Sequence, residues 1–267
     1  MDRLIFTAMT GASQAAMQQA GVAQNLANVS TVGYRAIEYR SRAVPVLGPG
    51  AATRAFAVDA SIANAFDQGP LTTTGRPLDV AVEGAGWIAV LGSDGREAYT
   101  RAGNLRTDAN GLLQTSAGSL VLGEGGPIAL PPDNNIVIAA DGTVSSIPRV
   151  GAGALNSVNV VGQIKLVNPP ESDLVRGDDG LFRTRNGVPA LADENVKLVP
   201  EALEGSNVNS VDAMVRMISL ARQFEMQVRM LQTADTNARA ASQILTIISA
   251  WRARSTCRSG CCRPPTR

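Results

Sequence analysis

The chain contains no histidine. That removes the commonest general base and the commonest neutral metal ligand. Serine and aspartate are plentiful, but without histidine no ordinary nucleophile–base relay can be built from them. Cysteine is confined to the end of the chain, at Cys257, Cys261 and Cys262. The body therefore has no thiol to activate and no disulfide staple, which suits an oxidising compartment as well as a reducing one. Lysine occurs only at Lys165 and Lys197. Aromatic residues make up 4% of the chain against 26 glycines, a balance that favours turns and small-residue packing over one large aromatic core. No run of about 18 apolar residues exists, so no helical membrane span is expected. The opening Leu4-Ile5-Phe6 is too short for the apolar core of a secretory signal, and threonines and glutamines follow it. Any export is expected to use a route without a cleaved signal peptide.

What charge there is lies unevenly. Trp251 to Arg267 carries five arginines and no acid. Without that segment the body has 19 basic against 23 acidic residues. It is mildly acidic, with no basic groove for nucleic acid.

Three segments follow one another. Asp2 to Asn28 reads as a helix, with Ile5, Met9, Ala12, Ala16, Ala23 and Leu26 on a heptad spacing and Gln19 in the missing slot. The stripe is weak, mostly alanine and methionine, so the helix is expected to need partners. Val44 to Pro200 reads as β structure. Leu78 to Val82 alternates, and turn dipeptides recur at Asp94-Gly95, Asn110-Gly111, Asp141-Gly142, Asp179-Gly180 and Asn186-Gly187. Asn207 to Ser249 reads as one long helix of roughly 60 Å, with no proline or glycine. Met214, Met217, Ala221, Phe224, Val228, Leu231, Ala238 and Leu245 lie on its apolar stripe. The fold class expected is α+β: long N- and C-terminal helices pairing as a coiled coil around a central, irregular, antiparallel all-β domain. The expected divisions are 1–45, 46–200, 201–249 and a disordered basic tail, 250–267. From periodicity alone, helices that cover their own sheet and helices that pack against other subunits both remain open.

Several stretches imitate sites. Asp178-Asp179-Gly180 and Asp133-Asn134-Asn135 lack the distal acidic ligand of a calcium loop and read as turns. Gly84-Ala85-Gly86 and Gly123-Glu124-Gly125-Gly126 lack the phosphate-binding fingerprints. Asp79 and Glu83 share one strand side, as exposed carboxylates often do. The three cysteines of the tail make a poor zinc site. No catalytic residue, cofactor or metal is expected.

Three stretches carry a resemblance. Ala23-Gln24-Asn25-Leu26-Ala27-Asn28-Val29-Ser30-Thr31-Val32-Gly33-Tyr34-Arg35 is an asparagine-rich helix end followed by a glycine, an aromatic and a basic residue. Asn207-Val208-Asn209-Ser210-Val211 leads into Met214-Val215-Arg216-Met217-Ile218. Gly69 to Val82 runs on to Tyr99-Thr100-Arg101-Ala102-Gly103. In chain order they resemble the flagellar axial proteins, the rod, hook and hook-associated subunits, from the N-terminus to about Ile248. The opening residues and Leu174 to Arg183 are most similar to proximal-rod members. The resemblance implies a structural subunit of the basal-body rod, polymerising into the torque-transmitting shaft that serves motility. A distal-rod or hook-type protein is the nearest alternative, and a secreted β-rich adhesin or phage-tail-like tube protein a remoter one. It implies other rod subunits and the flagellar export apparatus as partners, and a place in the periplasmic rod. Asn25, Leu26, Asn28, Gly33, Tyr34, Asn207, Asn209 and the stripe from Met214 to Leu245 become the expected assembly interface. Trp251 to Arg267 departs from the pattern, and a frameshift near the natural stop would produce such a change.

Overall fold

The computed structural model describes residues 2–45, 55–132, 134–148 and 158–258. The chain is α+β and divides into two compact units. One comprises Met1–Ala23, Glu38–Ala63 and Met214–Arg267; the other comprises Gln24–Ile37 and Asn64–Ala213. The chain thus crosses between units four times. A strand hairpin, β1 (Ile37–Pro45) with β2 (Ala55–Asn64), belongs largely with the helices rather than with the β domain.

In the helical unit, α1 spans Asp2–Ala27 and α2 spans Ser210–Arg258. The buried face of α1 is Ala8, Ala12 and Ala15. Met9, expected on that face, is 52% exposed, and Ala16 and Ala23 are exposed too. The buried face is turned by roughly 60° from the expected one, with Ala12 common to both. Alanines at positions 8, 12 and 15 allow a closer approach than a phase carrying Met9 would. Gly21 serves the same end: a Cβ there would lie 2.3 Å from the Tyr39 ring of β1. On α2 the buried residues are Ala213 and Ala234, with Met217, Ala221, Val228 and Leu231 half-buried. The expectation of a disordered tail is corrected for Trp251 to Arg258. They continue α2, because no glycine or proline interrupts the helix before Gly260. The rest of the tail, including Cys261 and Cys262, lies outside the described residues, as does Asp133.

The β unit is built on a nine-stranded antiparallel sheet. Its path runs through strands at 174–176, 182–184, 97–100, 87–91, 120–123, 113–115 and 105–107; short strands at 126–127 and 166–167 pair at its side. A three-stranded sheet (134–138, 143–148, 159–163) and two strand pairs complete it. In those pairs 80–83 joins 197–200, and 71–73 joins 202–204. Val80, Ala81 and Val82 are all fully buried, so this strand is covered on both faces. Ile88, Val90, Leu105, Leu113 and Val121 pack around it. The few aromatics collect in a second cluster: Trp87 lies 4.7 Å from Phe182 and 6.0 Å from Phe66. Tyr99 joins them, its phenol pushed up to about 12 by burial.

The five turn dipeptides all close turns in which glycine alone is left-handed. Gly95, Gly111, Gly142, Gly180 and Gly187 have φ of 72°, 81°, 85°, 79° and 67°. The preceding Asp or Asn does not, since Glu201 is the one non-glycine with positive φ among the described residues. These are type I turns followed by a left-handed glycine, rather than the two-residue mirror-image turns the dipeptides could also form.

Arg183 ties two of these turns together. It donates to Asp179 at 2.6 and 3.0 Å and to Asp94 at 3.3 Å. Arg183 is the main cause that holds the Asp179 carboxyl below its ordinary value; for Asp94 the backbone N–H of Arg96 is. A lowered carboxylate stabilises fully above its unfolded value, about 3.9. That contribution is lost as pH falls through the lowered value. Arg183→Met is therefore expected to reduce the acid sensitivity of unfolding below about pH 4, read as urea midpoints between acid and neutral pH. An unchanged profile would show that the pairing adds nothing.

Candidate functional site

The N- and C-terminal motifs meet in the β unit. Asn25, in the last turn of α1, treats Ile37 as a strand neighbour would. Its amide donates to the Ile37 carbonyl at 2.8 Å, and its oxygen accepts the Ile37 N–H at 2.9 Å. The same oxygen accepts the Tyr34 hydroxyl at 3.1 Å. Asn28 folds back on the helix end, donating to the Gln24 carbonyl and accepting from Thr31. Asn207 does for the second crossing what Asn25 does for the first. It accepts the Ala36 N–H at 2.7 Å and donates to the carbonyls of Ala65 and Asp67 at 2.9 and 3.1 Å. Asn209 caps α2, accepting the Val211 and Asp212 N–H groups.

Beneath these amides lies a buried ionic cluster. Arg35 donates to one oxygen of Glu204 at 2.6 Å, and Arg101 to the other at 3.1 Å. Gly69 adds a backbone N–H at 3.0 Å. Glu204 is fully buried, and Arg35 and Arg101 are 1% and 4% exposed. Two guanidiniums therefore share one carboxylate, and Arg35 Nε and Nη1 and Arg101 Nε have no hydrogen-bond partner. Burial holds the Arg101 guanidinium below its ordinary value, and the Glu204 charge opposes that pull. Arg101 also donates to the Gly84 carbonyl, and Arg176 to the Arg35 carbonyl. The Arg176 guanidinium sits 4.6 Å over the Tyr34 ring, a cation–π contact.

Gly33 closes the cluster. Its N–H donates to the Glu204 carbonyl at 2.8 Å. Its φ is +68°, and a Cβ would lie 2.3 Å from the Arg101 carbonyl carbon. Few positions in the chain demand glycine on both counts.

The expected interface residues divide accordingly. Asn25, Asn28, Gly33, Tyr34, Asn207 and Asn209 spend their hydrogen bonds within this chain, and Tyr34 is only 5% exposed. Within this chain Arg176 lies over the Tyr34 ring and the Tyr34 hydroxyl donates to Asn25. On α2, Met214 is 52% and Phe224 38% exposed, and Ala238 is exposed. Leu26 is half-buried. The Leu245 side chain lies outside the described residues. Sequence reasoning missed Glu204, although it sits in register with buried Ala202 on a strand whose inward face should be apolar. A carboxylate at such a position signals a buried cation opposite.

Helices from both chain ends, a β domain between them, and end motifs locked together by asparagines define a helix-flanked axial subunit. The comparisons give the class a family. Residues 5–35 match the flagella basal body rod protein description, residues 81–146 the flagellar hook protein FlgE/F/G D1 domain, and residues 199–244 the flagellar basal body rod FlgEFG protein C-terminal region. The chain is 45% identical to the flagellar basal-body rod protein FlgF of Escherichia coli (strain K12), covering 92% of this chain and 100% of that one. It is 44% identical to FlgF of Salmonella typhimurium with the same coverage, and 30% identical to FlgG of Agrobacterium fabrum over 91% and 99%. The chain belongs to the flagellar basal-body rod protein family, a family of structural, non-enzymatic subunits, and its likeness is to the FlgF proteins.

Proposed function

We propose that the chain is a structural subunit of the proximal rod that polymerises through α1 and α2 and transmits torque to the filament. The observation that carries this reading is the surface of α2. Met214, Val215, Ile218, Met226, Met230 and Ile244 are 46–61% exposed. They lie on more than one face of a helix that spans 49 residues. A helix with this much uncovered apolar surface gains by packing against others. In the rod, α1 and α2 pair as a coiled coil, the Met217-to-Leu245 stripe forms the seam, and the β unit makes lateral contacts. Subunits related by a helical operator use heterologous contacts, which is how a shaft extends. Export proceeds through the flagellar export apparatus into the periplasm with the N-terminus intact, since α1 is itself an assembly element.

Leu231→Asp tests the seam. An ionised carboxylate there would leave water without a partner, at a cost of several kcal/mol. The β unit contains no part of this helix beyond Ala213, so its thermal transition is expected to persist. The chain should be made and stay soluble, yet cells should carry no rods. Arg229→Asp, at an exposed position two residues away, should be far milder. Normal motility with Leu231→Asp would remove α2 from the assembly.

A further inference from the structure

The buried ionic cluster carries more positive charge than negative. Arg35 and Arg101 share the single carboxylate of Glu204. Arg176, which donates to the Arg35 carbonyl, forms no salt bridge among the described residues. Beside this excess lies a pocket of about 220 Å³, wholly within the β unit. It sits at the Gly84-Ala85-Gly86 turn between the strands at 80–83 and 87–91. Phe66 and Trp87 give it an aromatic side. Arg101 is the one cation lining it, with its guanidinium 5.4 Å over the Trp87 ring. Glu171 is the one carboxylate lining it. The two charges do not cancel, because Arg101 is 4% exposed whereas Glu171 is exposed. At equal distance a solvated charge acts through a dielectric roughly four times that around a largely buried one, so the arginine sets the sign. Arg101 donates to Glu204 and to the Gly84 carbonyl. Those bonds leave guanidinium hydrogens unused, and Nε has no partner.

We infer that this pocket binds a carboxylate group, held by Arg101 and lying against the Phe66 and Trp87 rings. A carboxylate supplies the negative charge that the cluster lacks, and a buried cation without its full counter-charge is costly. Its planar pair of oxygens suits a guanidinium, and such charge-assisted bonds are stronger than neutral ones. The aromatic side accommodates the apolar stem that carries the group. Phosphate fits worse. One arginine lines the pocket and no lysine does, and a second negative charge would add to the repulsion from Glu171. A small free acid and an acidic side chain of another chain present the same group. The inference goes beyond the rod reading and does not depend on it, since every lining residue belongs to the β unit.

The test reads the emission of Trp87. The chain has two tryptophans, so Trp251→Phe in the full chain leaves Trp87 as the reporter. Sodium propionate is titrated at pH 7 against sodium chloride at equal ionic strength. The expected result is a saturable change with propionate and none with chloride. Ala85 is exposed and lines the pocket, so a charge placed there alters the field without disturbing the core. Ala85→Asp is expected to weaken propionate about threefold and Ala85→Lys to tighten it about threefold, with unchanged melting temperatures. A blocked peptide with one glutamate among alanines is titrated in parallel. Tighter binding than propionate identifies an acidic side chain as the source of the group, and weaker binding a free acid. No saturable response to either probe would overturn the inference, as would equal affinities for the Asp and Lys variants. Tighter binding of inorganic phosphate would overturn the carboxylate, and saturation by methylammonium instead would show that Glu171 sets the sign. None of these results bears on the rod reading, which fails separately if the unaltered chain is absent from basal bodies.

Discussion

Glu204→Ala is expected to cost the β unit about 3–5 kcal/mol, because it leaves Arg35 and Arg101 buried with no counter-charge. Each guanidinium is at most 4% exposed, so neither can reach water without moving the strands that hold it. The loss is large beside a whole-domain stability of about 5–15 kcal/mol. For a unit of this size it corresponds to a fall in melting temperature on the order of 10 °C. Glu204→Gln should fall between Ala and wild type. It keeps an oxygen for one arginine and for the Gly69 N–H but removes the charge. Circular dichroism melts of the three chains check the order. Equal melting temperatures would mean that the cluster is solvated and that the two motifs are joined by something else.

Gly33→Ala is expected to be of similar severity for a different reason. Backbone strain at positive φ costs about 1–3 kcal/mol for a residue with a side chain. Here the Cβ also meets main-chain atoms of Arg101 and Ala102, which cannot rotate away. Gly75→Ala separates the two effects, since Gly75 has φ +70° but open space around it. Gly75→Ala should show the strain alone, and Gly33→Ala the strain plus displacement of the Arg101 strand. If both cost the same, Gly33 is demanded only by its turn, and the approach to Arg101 is not tight in solution.

The order helix, β domain, longer helix was legible because periodicity and turn chemistry are local. Each Asp-Gly or Asn-Gly marked a turn, and the missing proline in α2 marked its length. The helix phases were less legible. Ala12 and Ala16 look alike in sequence, and which one is buried is decided by how closely a second element can approach. The hairpin of β1 and β2 escaped notice because Ile37 to Pro45 adjoins the N-terminal motif and reads as its continuation. The end motifs were recognised, but their role was only half readable. Asn25 and Asn207 bond backbone atoms of Ile37, Ala36 and Ala65, partners that sequence alone does not name. Glu204 stayed hidden because its partners are 169 and 103 residues away. Placing the motifs inside the chain shifts the expected assembly surface onto the faces of α1 and α2.

As a rod subunit, this chain is expected to be required for the rest of the axial structure. Electron microscopy of basal bodies from cells lacking the gene, beside cells in which the unaltered chain is restored, tests it most directly. The account predicts basal bodies without a completed rod or hook in the first cells and full rods in the second. Complete rods in cells without the chain would contradict it.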